Sequence, residues 1–166
     1  SPWQGSYIGV HGGAGIGTAG DMSTGGTLYG IHGGMNLQGG QFVAGIEADF
    51  DSSQVNNTTA DKSFSQSWIS SGRGRAGVSF GNNLIYGTGG VAATGTNYTD
   101  GASTDVTKFG TAYGGGFETL ATPNIVLRGE LIHYDFAAAD YLDNAGNKVA
   151  IDTKTNLFRF GIAVKF

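Results

Sequence analysis

The last eleven residues, "NLFRFGIAVKF", constrain the fold more than any other stretch. Phe158, Phe160, Ile162, Val164 and Phe166 fall on one face of an extended strand, and Leu157, Arg159, Gly161, Ala163 and Lys165 fall on the other, because successive side chains point to opposite sides. One face is apolar and the other mostly small or charged. The same period recurs along the chain and predicts eight strands, at 6–17, 27–37, 42–50, 67–80, 84–94, 108–120, 125–136 and 154–166. Most are about as long as the roughly 9 to 11 residues that a tilted strand needs to cross a bilayer.

The connections alternate in length. "QGGQ" (38–41), "GNN" (81–83) and "ATPN" (121–124) are short and carry turn residues, whereas 18–26, 51–66, 95–107 and 137–153 are long and rich in Asp, Asn, Thr, Ser and Gly. Short turns at one end and long polar loops at the other are the plan of an up-and-down barrel in an outer membrane, with both termini at the short-turn, periplasmic end. The expected fold is therefore all-β: one domain over 1–166, an eight-stranded antiparallel up-and-down transmembrane β-barrel.

Charge placement assigns the faces. All three Glu and all four Arg lie in proposed strands, while most of the ten Asp lie in or beside proposed loops. With Glu47, Asp49, Arg73, Arg75, Glu118, Arg128, Glu130 and Arg159 pointing inward, the neighbours that point outward are almost free of charge. They include Phe42, Ile46 and Phe50; Tyr113 and Phe117; Leu127 and Leu131; Ile8, Val10 and Ile16; and Tyr29, Ile31, Met35 and Leu37. A soluble lipocalin-like barrel would reverse this parity. For "LIYGTGGVAAT" in strand 84–94 either face can be the apolar one. Glycine, 31 of 166 residues, leaves room inside for long Arg and Glu side chains, since eight strands enclose just enough space for side chains to fill.

Other function classes find little support. A formal charge of -4 and the absence of a basic run argue against a nucleic-acid partner, which needs clustered Lys and Arg. With no Cys there is no thiolate site. "GIGTAG" at 15–20 matches a dinucleotide fingerprint but lacks the helix such a motif must open, and no nucleophile elbow occurs. No enzyme activity, cofactor or metal is expected. His11 and His32 share inward parity on adjacent strands, and two facing imidazoles are the one pair that invites a metal or haem iron; without further ligands they are read as lumen lining. His133 lies near the outer rim without an obvious partner. The Asp-rich loops suit solvation and external contacts.

These pieces resemble the small eight-stranded outer-membrane barrels of Gram-negative bacteria, the porin-family outer-membrane β-barrel proteins and, more distantly, the OmpA transmembrane domain. The resemblance is carried by "WQGSYIGVHGG", "GIHGGMNLQ", "FVAGIEADF", "RGRAGVSF", "LIYGTGGVA" and "GGGFETLATPNIVLRGELIHYDF". It implies lumenal pairing of Glu47 with Arg75 and of Glu118 with Arg128. It also implies that Phe160, Ile162, Val164 and Phe166 form the C-terminal signal that the outer-membrane assembly machinery recognises. The further expectations are an exported precursor placed in the bacterial outer membrane, contact with lipids and lipopolysaccharide, and self-association through small outward residues: Gly12, Gly33, Gly72, Gly74, Gly115 and Gly129. Near-balanced charges inside favour a plugged, structural barrel; the alternative is a narrow gated ion channel through the same lumen.

Overall fold

The computed structural model describes the backbone of residues 1–19, 22–59, 62–100, 103–142 and 148–166, and the side chains of 1–16, 26–52, 68–95, 107–136 and 154–166. Eight strands form one closed antiparallel barrel in chain order: β1 (Gly5–Ala19), β2 (Met22–Gly39), β3 (Phe42–Thr59), β4 (Lys62–Phe80), β5 (Asn83–Asp100), β6 (Ser103–Thr122), β7 (Ile125–Leu142) and β8 (Lys148–Lys165). Closure is made by β8 on β1, with Ile8 opposite Val164 and Gly12 opposite Phe160. A closed barrel has no free sheet edge and pairs its backbone N–H and C=O groups between strands, which is what a hydrocarbon environment requires.

The strands are longer than the alternation predicts. Proposed loops 18–26, 51–66, 95–107 and 137–153 carry strand backbone up to residues 19, 59, 100 and 142 and from residues 22, 62, 103 and 148. The physical reason is that alternation reports the lipid-facing band only. Beyond that band the sequence no longer alternates strictly between apolar and polar residues and the periodic signal fades, yet the ladder continues. Of the loop Asp, Asp21, Asp61 and Asp143 lie outside the described residues, whereas Asp51, Asp100, Asp105, Asp140 and Asp152 are strand residues.

The predicted short connections are tight reversals. Gly40 (φ 63°) and Gly81 (φ 61°) take the left-handed backbone that such reversals use, a conformation open to glycine without a Cβ clash. Asn124 braces the third turn: its backbone N–H donates to Thr122 Oγ1 at 3.3 Å and its side chain to the Lys165 carbonyl at 3.0 Å.

Side-chain facing follows the parity argument. Ile46, Leu37, Phe42, Phe109 and Phe160 are among the large apolar residues exposed on the outside, the facing expected of a barrel that lies in lipid rather than water. Strand β5 resolves with Ile85 and Val91 outward and with Leu84, Tyr86 and Ala92 inward. The outer surface is uneven: β4 and β5 present Gly72, Gly74, Ala76, Gly87 and Gly89 where β1–β3 and β8 present Ile, Leu, Met, Val and Phe.

Candidate functional site

The barrel interior is the one place where the described charged side chains gather, and it is layered. Toward the turns lies an apolar layer of Trp3, Tyr7, Val43, Leu84, Tyr86, Leu120, Val126 and Ala163. Toward the opposite end lies a second, of Leu28, Ile69, Ala92, Ala112, Ile132, Tyr134, Phe136 and Leu157, in which the rings of Tyr134 and Phe136 stack at 5.9 Å. Ion pairs fill the space between.

Register places the partners. Glu47 is opposite Arg73 across β3–β4, Glu118 is opposite Arg128 across β6–β7, and Glu130 is opposite Arg159 across β7–β8. The turn-side half of the network joins Arg128 to Glu47 (2.6 Å) and to Glu118 (2.6 Å), and Arg75 to Glu118 (2.9 Å). The outer half joins Arg73 to Asp49 (2.7 Å), and Arg159 to Asp49 (3.1 Å), Asp51 (3.1 Å) and Glu130. Arg73 to Glu47 (2.7 Å) links the two halves. The pairing implied for Glu47 with Arg75 is the longer contact, 3.4 Å, because Arg73 holds the position directly opposite while Arg75 reaches across to β6. Glu118 has both Arg128 and Arg75.

Phenols and a hydroxyl add hydrogen bonds to three of these carboxylates. Tyr7 donates to Glu47 (2.6 Å) and accepts from Arg75 (2.9 Å), Tyr86 donates to Glu130 (2.6 Å), and Ser71 donates to Asp49 (2.8 Å). The Arg75 guanidinium also lies 4.0 Å over the Tyr86 ring, a cation–π contact that gains strength away from water. Every carboxylate in the layer therefore touches at least one guanidinium. That arrangement is the condition under which buried charge is tolerable, although the net gain over an apolar core is small.

His11 and His32 meet with Nδ1 atoms 2.9 Å apart, and His11 Nε2 contacts Asp51. The geometry is that of a shared hydrogen bond in which one nitrogen donates and the other accepts. Among the described residues no group of three or more His, Cys, Asp or Glu is arranged to hold a metal ion. His133 does have a partner: its Nδ1 lies 2.6 Å from Asn156 Oδ1 on β8, and its ring packs against Tyr113. Phe160, Ile162, Val164 and Phe166 all project outward from the end of the chain.

Sequence reasoning did not find Trp3, Tyr7, Asp51, Tyr86 or Lys108 as interior residues, yet all five are buried. A signal existed for Asp51, since Glu47, Asp49 and Asp51 continue one parity; assigning it to a loop hid that. Tyr7 and Lys108 also lie on inward parity, whereas Tyr86 lies on the strand whose facing the sequence leaves open. Trp3 precedes the first strand and carries no periodic signal.

This geometry agrees with what the chain is similar to. The model of the outer membrane protein beta-barrel domain matches residues 1–166. A 22 kDa outer membrane protein of Rhizobium leguminosarum bv. viciae is 35% identical over 170 residues, covering 99% of this chain and 78% of the relative. Among solved structures, Neisserial surface protein A superposes with a TM-score of 0.65 at 14% identity over 97% of each chain. OprG from Pseudomonas aeruginosa superposes at 0.64 with 13% identity over 98% of this chain and 96% of its own. At those identities the likeness to the structures is one of fold. With the family model spanning the whole interior just described, the chain belongs to the outer membrane protein beta-barrel domain family and its place is the bacterial outer membrane.

Proposed function

We propose that this protein is a structural, non-enzymatic barrel that contributes to envelope integrity and does not conduct ions. The observation that carries the reading is the layered interior: an ion-pair network with apolar layers on both sides. A hydrated pore needs a continuous polar path, and eight strands leave little room around filled side chains. The strand ends opposite the turns, extended beyond the lipid band, are where contacts with lipopolysaccharide and external partners would form. The outward row Phe160, Ile162, Val164 and Phe166 is assigned to recognition by the outer-membrane assembly machinery.

Deleting the gene from its host and scoring sensitivity to detergents and bulky antibiotics tests the role. A leaky envelope, restored by the unchanged protein and by a folded variant with altered lumen charges, is the expected result. A tight envelope together with lost uptake of a small charged solute would reject the structural reading in favour of the narrow channel.

A further inference from the structure

We propose that residues 1–4 are a displaceable stopper for the periplasmic mouth, with Trp3 as its head. The two apolar layers are built differently. The outer one is made wholly of strand residues, so it opens only if the barrel distorts. The inner one depends on Trp3, which lies before β1 and is nevertheless only 1% exposed. Its cluster partners, Tyr7, Val43, Leu84, Tyr86, Leu120, Val126 and Ala163, come from β1, β3, β5, β6, β7 and β8. One side chain from outside the sheet thus joins a layer to which six strands contribute.

What holds it is sparse. The Trp3 backbone N–H donates to Gln38 Oε1 at 2.9 Å, and Lys165 Nζ donates to the Gln4 carbonyl at 3.0 Å. The Gln4 N–H returns to the Ser1 carbonyl at 3.2 Å. The indole Nε1 is buried with no hydrogen-bond partner among the described residues, so apolar contact holds the ring itself, and the polar tie at Trp3 is its backbone bond to Gln38. Behind it a small void touches Tyr7, Asn36, Glu118 and Arg128. Swinging the segment away breaks no inter-strand ladder. It exposes the Glu118–Arg128 pair to periplasmic water and small ions, while the rest of the ion-pair network and the outer apolar layer still close the lumen behind it. This inference rests on the closed-lumen reading for that outer layer only.

The chain has no cysteine, so a single Ala163→Cys substitution behind the stopper gives one reactive site. The full chain, folded into nanodiscs and checked by heat-shifted gel mobility, is treated with a membrane-impermeant thiol reagent. Ala163→Cys alone should react slowly. Adding Trp3→Ala should raise the rate about 100-fold, because protection scales with the closed-to-open equilibrium of the covering segment. Trp3→Phe should stay slow, and Gln38→Ala, which frees the strap without removing the head, should fall between. Equal rates with and without Trp3, or no effect of Gln38→Ala, would overturn the proposal. The Trp3→Ala barrel in a planar bilayer separates the two readings: silence supports both, whereas openings support the stopper and reject the sealing role of the outer layer.

Discussion

Glycine does opposite work on the two faces of the same strands. Inward, a Cβ on Gly90 would run into the backbone of Gly72 and Arg73, and one on Gly77 into Ile85 and Tyr86. Outward, a Cβ on Gly72 would meet nothing within 4 Å, and one on Gly74 only the Gly89 carbonyl at 3.9 Å. The interior is therefore a packed solid in which absent side chains are a steric requirement, as in any protein core. The lipid face tolerates what the interior cannot. The difference teaches that the interior specifies this barrel, while the exterior needs only to remain apolar.

Four substitutions can break or sharpen that contrast. The largest effect is expected from Arg159→Met, which leaves Asp49, Asp51 and Glu130 short of a cation; removing one partner of a buried pair costs about 3–5 kcal/mol. Urea unfolding in lipid vesicles would read it, and a loss below 1 kcal/mol would mean that the network behaves like surface charge. Next comes Ile46→Arg on the lipid face, expected to cost about 2–4 kcal/mol if the site lies near the bilayer midplane; a neutral result would mean that this face is not in hydrocarbon. Gly13→Ala pushes a methyl toward the Phe158 carbonyl and Arg159, with about 1–3 kcal/mol expected from overpacking. Gly74→Ala, pointing into open space, should change stability by less than about 0.5 kcal/mol. Similar values for the two glycines would erase the distinction between the faces.

The strand count, the chain order around the barrel and the facing of β3 and β7 were legible from alternation, because the inward charges Glu47 and Asp49 on one and Arg128 and Glu130 on the other are interleaved with outward Ile46, Phe50, Leu127 and Leu131. Strand β5 was not, for a physical reason: its inward Leu84, Tyr86 and Ala92 belong to the two apolar layers, so both of its faces look apolar. Strand ends were missed where the sequence stops alternating strictly between apolar and polar residues. In the interior, parity revealed which Glu and Arg point inward but not which ones touch. A guanidinium can reach the carboxylate directly opposite or one strand further on, and Arg75 does the latter with Glu118. Asp51 was hidden by its polar neighbours, and Trp3 by having no strand to give it a period.

The most direct test of the closed interior is single-channel recording of the refolded barrel in planar bilayers, beside a Glu118→Ala variant. Stable silence from unchanged protein with demonstrated insertion is the predicted result. The variant should stay silent as well, because the apolar layers on either side of the ion pairs remain. Reproducible openings from the unchanged chain, altered in size or frequency by Glu118→Ala, would contradict it and make the Glu118, Arg75 and Arg128 cluster the gate of a narrow channel.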